Sequence, residues 1–353
     1  MDADTTAAAG GRAERVIVIS MMKSGTHLLK ELMLALGYSL YGHVRITPQV
    51  RPTLDQETRG RVARMVYDDA TLTRLLSEPE PVFDEAAEQA WEALAWSWQL
   101  RFGMPLTTWY SMALVNTGLV EQACRRTAGS DFAETPGGIC WMFHEFDLRK
   151  IDGHFLHEWA ATGEPRIIFN YRDPRDMILS MVNFLCGATG RGLSAFNNLQ
   201  TFRSILVSKP TLEERITYAL TDDSFPGNQD DFKRMVWLLH HPNVCTTTFE
   251  ELAGPLGGGT ADLQLRAAAR LLDFLGIKEH APQDVTGKLF NRNAFSFHRG
   301  QIGDWREVFT NKQCRLAEAR FADVLPLYGY PARRRASRAW AWPGSVSPRE
   351  GHR

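Results

Sequence analysis

The chain has 353 residues, 44% of them apolar, and a formal net charge of −1. That length buries one large α/β core or two small ones, and that charge offers no global field to recruit nucleic acid. Its five cysteines (Cys124, Cys140, Cys186, Cys245, Cys314) are scattered, with no C-x-x-C pair, which argues against a disulfide framework or a zinc site and fits a reducing compartment.

Residues 1–13 are small and polar, hold no apolar signal segment, and read as a disordered N-terminus. No run approaches the roughly 20 apolar residues of a membrane span. The first element is the apolar β-type run Val16-Ile17-Val18-Ile19. It feeds Lys23-Ser24-Gly25-Thr26-His27, and an amphipathic helix pattern (Leu28, Leu29, Leu32, Met33, Leu36) follows and ends at Gly37. A buried strand, a short glycine turn and a helix start make a phosphate cradle: turn N–H groups and the helix N-terminus face an anion, and a lysine adds a full charge. The order is not that of a Walker A loop, because Lys23 precedes Gly25 and no glycine stands upstream at that spacing.

Residues 45–136 form a long insertion. Mixed charges run from Asp55 to Asp84, and an aromatic stretch with Trp91, Trp96, Trp98, Phe102 and Met104 follows. At helical spacing such residues are more often core than ligand box, yet Arg101-Phe102-Gly103-Met104-Pro105 interrupts the helix pattern. Ile139-Cys140-Trp141-Met142-Phe143 then reads as a strand ending on His144, and a helix containing His154 and His157 fits between it and Arg166. The β-type run at 166–170 meets Arg172, with Asp173 as a helix N-cap and Pro174 in the first turn, where its missing N–H is not needed. Ser180 lies eight residues beyond Arg172. A guanidinium fork suits a terminal phosphate, and a serine hydroxyl adds a donor.

Gly187, Gly190, Gly192 and Asn197-Asn198 mark 184–235 as a mobile flap. A strand at 244–249 ends on Phe249-Glu250-Glu251-Leu252. Residues 297–310 read Phe-His-Arg-Gly-Gln-Ile-Gly-Asp-Trp-Arg-Glu-Val-Phe-Thr. From 331 to 353 the chain is rich in Arg, Trp and Pro and reads as a disordered tail. Strands alternating with helices predict an α/β three-layer sandwich, with a central mainly parallel sheet flanked by helices. Residues 14–330 form one domain carrying the 45–136 insertion.

Three of these segments, in this order, resemble the cytosolic-type sulfotransferases that use 3′-phosphoadenosine 5′-phosphosulfate (PAPS, leaving PAP). The strand-to-Lys23-Ser24-Gly25-Thr26 turn is similar to the family's 5′-phosphosulfate loop. Arg172 with Ser180 matches its 3′-phosphate motif. Residues 297–310 are similar to its C-terminal basic–Gly–x–x–Gly–Asp–Trp run, in which His298, Arg299 and Gly300 would close over the 3′-phosphate. The resemblance implies a P-loop NTPase-like topology, Lys23 as the cation at the bridging oxygen, and Ser180 as a restraint on Lys23. Phe249 would lie near the adenine, and His27 stands where a threonine is more usual. It also implies a histidine general base after a short strand. His43, His144, His154 and His157 lie between the phosphate motifs. His144 fits best, since His43 follows the first helix closely and His154 and His157 fall in or near a helix. Trp141, Met142 and Phe143 stand where the family often has a lysine.

The reading implied is sulfuryl transfer from PAPS, without a metal, to the hydroxyl of a small hydrophobic acceptor such as a lipid, polyketide or other specialised metabolite. Residues 91–120 would wall the acceptor pocket, with Trp98, Phe102, Met104 and Phe143 as contacts. A cytoplasmic protein is expected, with no nucleic acid partner and no stable membrane insertion, and with room for a homodimer. The alternatives are a P-loop-type nucleotide kinase or hydrolase, which would need the Walker order, and a non-catalytic nucleotide-binding protein of the same fold.

Overall fold

Strand β1 (Arg15–Ser20) runs through the middle of a five-stranded sheet and is buried from Val16 onward. In this computed structural model, residues 11–44, 46–104, 116–187, 197–290 and 300–331 are described. The other strands are β2 (Ser39–Gly42), β3 (Ile139–Phe143), β4 (Arg166–Tyr171) and β5 (Val244–Thr248), in the spatial order β2-β3-β1-β4-β5 with every pairing parallel. This is the expected α/β sandwich. The chain passes from β1 to one side of the sheet and later to the other, so the turn after β1 lies at the point where strand order reverses, where open α/β sheets bind ligands.

Alternation along β1 explains why the sheet is covered on both faces. Val16 and Val18 face a cluster built with Leu28, Leu29, Leu32 and Met33 of α1 (Thr26–Ala35), while Ile17 and Ile19 face the opposite core. That second face carries the 45–136 insertion, which folds as α2 (Gln56–Val66), α3 (Asp69–Leu76), α4 (Glu80–Arg101) and α5 (Thr117–Arg126). Side chains of Asp55, Asp68 and Asn116 cap α2, α3 and α5. Helix α4 brings Trp91 against Tyr41 and Trp141 of the sheet, with ring centroids 5.3 and 5.9 Å apart. Farther along, Trp98 and Phe102 meet Phe132 at 5.0 and 5.5 Å, and Phe102 meets Phe155 at 4.8 Å. Arg101 anchors the end of α4 through an ion pair with Asp152 and bonds to the carbonyls of Thr127 and Ser130.

The remaining helices are α6 (Gly153–Thr162), α7 (Pro174–Cys186), α8 (Asn197–Ser208), α9 (Leu212–Thr221), α10 (Gln229–Met235), α11 (Phe249–Leu252), α12 (Ala261–Phe274), α13 (Pro282–Thr286), α14 (Trp305–Val308), α15 (Asn311–Arg320) and α16 (Val324–Leu327). Asp173 and Pro174 start α7 as the sequence predicts, the Asp173 carboxylate accepting from Arg175 N at 3.0 Å. The described part of 184–235 is helical, with Leu206, Ile216, Leu220 and Phe232 buried, while residues 188–196 lie outside the described residues. Packing begins before residue 14, for Ala13 is buried and its N–H donates to Leu275 O at 2.9 Å. The tail from residue 332 lies outside the described residues. Among the described residues, no helix is long and apolar enough to cross a membrane.

Trp91 is one of the contacts that pack the insertion against the sheet. Trp91→Ala is expected to lower stability by about 3–5 kcal/mol, read from the midpoint of denaturant unfolding. A cost under about 1 kcal/mol would mean that the insertion does not share the sheet's core.

Candidate active site at the carboxyl edge of the sheet

Strand register lines up the residues that follow each strand. Gly42 pairs with Met142, Ile19 with Phe143, Ser20 with Asn170, and Tyr171 with Thr248. His43, His144, the turn after Ser20, Arg172 and Phe249 therefore leave the sheet at one edge.

The turn itself is tightly wound. Lys23 has φ +66° and Gly25 φ +92°, both left-handed, and Ser24 N donates back to Met21 O at 3.0 Å. The amide of Asn170 holds this shape from β4, with Nδ2 lying 3.1 Å from Ser20 Oγ, 2.9 Å from Ser24 O and 3.0 Å from Ser24 Oγ. Ser20 Oγ also reaches Thr26 Oγ1 at 3.0 Å. Helix α1 starts from Gly25 without a side-chain cap and without an acidic residue in its first turn, an arrangement that leaves helix-start N–H groups to an anion. A Cβ on Gly25 would stand 2.6 Å from the Phe249 ring. Glycine is thus required twice, by conformation and by close approach.

Lys23 is half-buried. Its ammonium lies 4.4 Å from the centre of the Phe184 ring on α7. Burial, with a smaller push from Arg172, lowers its pKa to about 7. Ser180 stands four residues before Phe184, on the same face of α7. Burial first, then Lys30 and Lys23, holds His27 down at about 3, so its ring is neutral at pH 7.

His144 Nδ1 lies 2.8 Å from Ser20 O. A carbonyl only accepts, so Nδ1 carries the hydrogen and Nε2 is the basic nitrogen. Burial lowers the His144 pKa to about 4, against the opposing effect of the Ser20 bond. His144 opens onto a cavity of about 140 Å³ whose apolar wall is Met21, Met22, Met104, Phe146, Met177 and Met235. Its polar lining is His43, Glu145, Asp147, Asp231 and Arg234.

On the other side of β1, Arg172 is 5% exposed. Its guanidinium stacks 3.9 Å from the centre of the Phe249 ring, donates to Gln301 O at 2.6 Å and meets Asp176 at 3.5 Å. Its buried Nε has no partner. Asp176 also accepts from Gly303 N at 2.6 Å and Trp305 N at 3.1 Å, pinning the 300–305 turn to α7. Gly300 (φ +62°) and Gly303 (φ +78°) shape that turn, and Trp305 is buried under the Arg175 guanidinium at 4.1 Å. Glu250 lies behind, accepting from Asp173 N and Tyr330 Oη, and burial pushes it up to about 7.

The structure therefore brings together Lys23, Ser24, Gly25, Thr26, His27, His144, Arg172, Phe249 and Gly300, with Ser180 on α7 one turn before Phe184. His298 and Arg299 lie outside the described residues. Of the four expected pocket contacts, Met104 lines the cavity. Trp98, Phe102 and Phe143 are instead 0% exposed in the aromatic core, the first two at the end of α4 and the third at the end of β3. His154 pairs with Asp131 on the surface, and His241 stacks on Trp159 at 4.2 Å. Among the described residues, no three His, Cys, Asp or Glu side chains gather as metal ligands would.

Sequence reasoning set His43 aside as a base and did not single out Asn170 and Asp176. A polar Asn170 closing an apolar strand, and an acid four residues after Arg172 on a helix start, were both legible signals.

No protein-family model matches the chain, and no curated protein does. Among solved structures, it is similar to mouse sulfotransferase SULT7A1 complexed with PAP, at 14% identity and a TM-score of 0.47, over 89% of this chain and 86% of that one.

Gly25→Ala forces an alanine into the left-handed region against the Phe249 ring. A loss of about 1–3 kcal/mol in unfolding free energy is expected. An unchanged denaturation midpoint would show that the turn relaxes freely.

Proposed function

We propose that the chain transfers a sulfuryl group from PAPS to the hydroxyl of a small, largely apolar acceptor. One observation carries this reading. A left-handed lysine turn, a buried arginine with an unpartnered Nε, and a histidine whose tautomer leaves Nε2 basic all meet at one sheet edge beside a methionine-lined cavity.

These residues fit the nucleotide. Bound PAPS would supply the sulfuryl group, with its 5′-phosphate as leaving group. Lys23, the 24–27 backbone and the start of α1 would hold the 5′-phosphosulfate. Arg172, whose Nε lacks a partner in a site nearly closed to water, would hold the 3′-phosphate with Ser180, Gly300 and, by the family resemblance, His298 and Arg299. Phe249 already stacks on Arg172 and packs against Gly25, so it joins the two phosphate sites. His27 would lie beside the sulfate as a neutral ring.

His144 would take the acceptor's proton at Nε2, with Ser20 O keeping the ring in that tautomer. Its low pKa keeps it unprotonated at pH 7 but makes it a weak base. Proton transfer then runs best from an acidic hydroxyl, which favours a phenol, titrating near 10 as tyrosine does, over an aliphatic alcohol. Sulfuryl transfer resembles phosphoryl transfer in being mostly positioning and charge stabilisation, and Lys23 would meet the charge that develops on the leaving oxygen.

His144→Ala is expected to lose about 10²–10⁴-fold in turnover of labelled PAPS while keeping PAP affinity. Near-normal turnover would assign the base elsewhere. Arg172→Ala is expected to erase the preference for PAP over AMP, and an unchanged ratio would place the 3′-phosphate clamp on other residues. Lys23 titrates at about 7 in the free protein, and only its protonated form attracts phosphate. PAP affinity should therefore fall as pH rises above about 7, by at most about tenfold per unit, and Lys23→Arg should remove that alkaline limb. An alkaline limb that persists in Lys23→Arg would separate Lys23 from the nucleotide.

A further inference from the structure

The cavity holds a second histidine to which the mechanism gives no task. His43 follows β2, its N–H donating to Met142 O at 2.9 Å. The β2–β3 register sets it beside Phe143 and one strand over from His144. Its ring is 1% exposed, stands edge-on to Trp96 at 5.5 Å and is tilted against Phe143 at 6.4 Å. Neither Nδ1 nor Nε2 has a hydrogen-bond partner, and the residue lines the same cavity as His144.

A buried imidazole has one donor and one acceptor to satisfy, and a protein interior rarely leaves both unmade. Aromatic neighbours fix the ring without serving it. Burial and the nearby His144 hold His43 at about 4, so the neutral ring keeps both a donor and an acceptor at pH 7. The rest of the cavity wall is methionine and phenylalanine together with Glu145, Asp147, Asp231 and Arg234. A cavity of about 140 Å³ is close to the roughly 150 Å³ apolar cavity that takes up benzene, so it suits one aromatic ring.

We infer that His43 is a second acceptor-binding residue, and that with His144 it selects rings carrying two adjacent oxygen groups, of the catechol type. One hydroxyl would meet Nε2 of His144 and react, and its neighbour would meet His43. The inference rests on the sulfuryl-transfer reading for the reaction, but not for the binding.

The test compares phenol and catechol as acceptors with PAPS, in the wild type, His43→Phe and His43→Gln. Catechol's greater intrinsic reactivity is common to all three and cancels. The catechol-to-phenol ratio in kcat/KM is expected to fall about tenfold in His43→Phe, as for one lost hydrogen bond, chiefly through KM for catechol. His43→Gln, whose amide restores a donor and an acceptor, should regain most of it. An unchanged ratio in His43→Phe would overturn the inference.

Calorimetric titration of catechol and phenol into the nucleotide-free protein gives a second readout. The same His43-dependent preference is expected there, and equal loss for both ligands would overturn it. Should PAP fail to bind while catechol binding still depends on His43, the sulfuryl-transfer reading falls and the assignment of His43 stands. Should PAP bind with no His43-dependent preference, the assignment of His43 falls and the sulfuryl-transfer reading stands.

Discussion

The site depends on how β4 holds the turn that follows β1. A lysine and a glycine in left-handed conformations do not form such a turn unaided, since a lysine there is uncommon. The Asn170 amide, buried beneath the turn, ties Ser20 Oγ, Ser24 O and Ser24 Oγ to the neighbouring strand. Three other segments then use the fixed turn as their reference. His144 takes its tautomer from Ser20 O, Phe249 packs where Gly25 has no Cβ, and Lys23 lies over Phe184 of α7. Any change that frees the Asn170 amide moves His144, Lys23 and Phe249 together.

Burial also sets the charges. His27, His43 and His144 are all pushed well below their usual pKa, chiefly by desolvation. The positive charge around the turn then falls to Lys23 and to Arg172, the two residues proposed to hold the phosphates. Asp176 ties the second of these to the 300–305 turn, because one carboxylate faces Arg172 and also accepts from Gly303 and Trp305. A phosphate drawing on Arg172 would thus be coupled to the turn that, by resemblance, closes over it.

Much of this was legible in the sequence where the signal was local. The apolar run into Lys23-Ser24-Gly25-Thr26 and the Arg172-Asp173-Pro174 helix start gave their elements correctly, because strand periodicity, N-cap and first-turn proline are short-range features. The helical spacing of Trp91, Trp98 and Phe102 is that of core residues and they are buried; the glycine break after them led to Trp98 and Phe102 being expected as acceptor contacts instead, and of that set Met104 lines the cavity. In the sequence His43 follows the first helix too closely to look like a site residue. The short strand β2, only Ser39–Gly42, was invisible as a strand, and only its parallel pairing with β3 places His43 beside His144. Glu145, Asp231 and Arg234 come to one cavity from segments far apart in the chain, which no periodicity reports.

The most direct measurement is calorimetric titration of the purified protein with PAP, with AMP and ADP as controls and EDTA present throughout. The account predicts tight binding of PAP, much weaker binding of AMP and ADP, and no effect of EDTA, because Lys23 and Arg172 grip separate phosphates. Equal affinity for PAP and AMP, or binding of ADP that needs a metal, would contradict it.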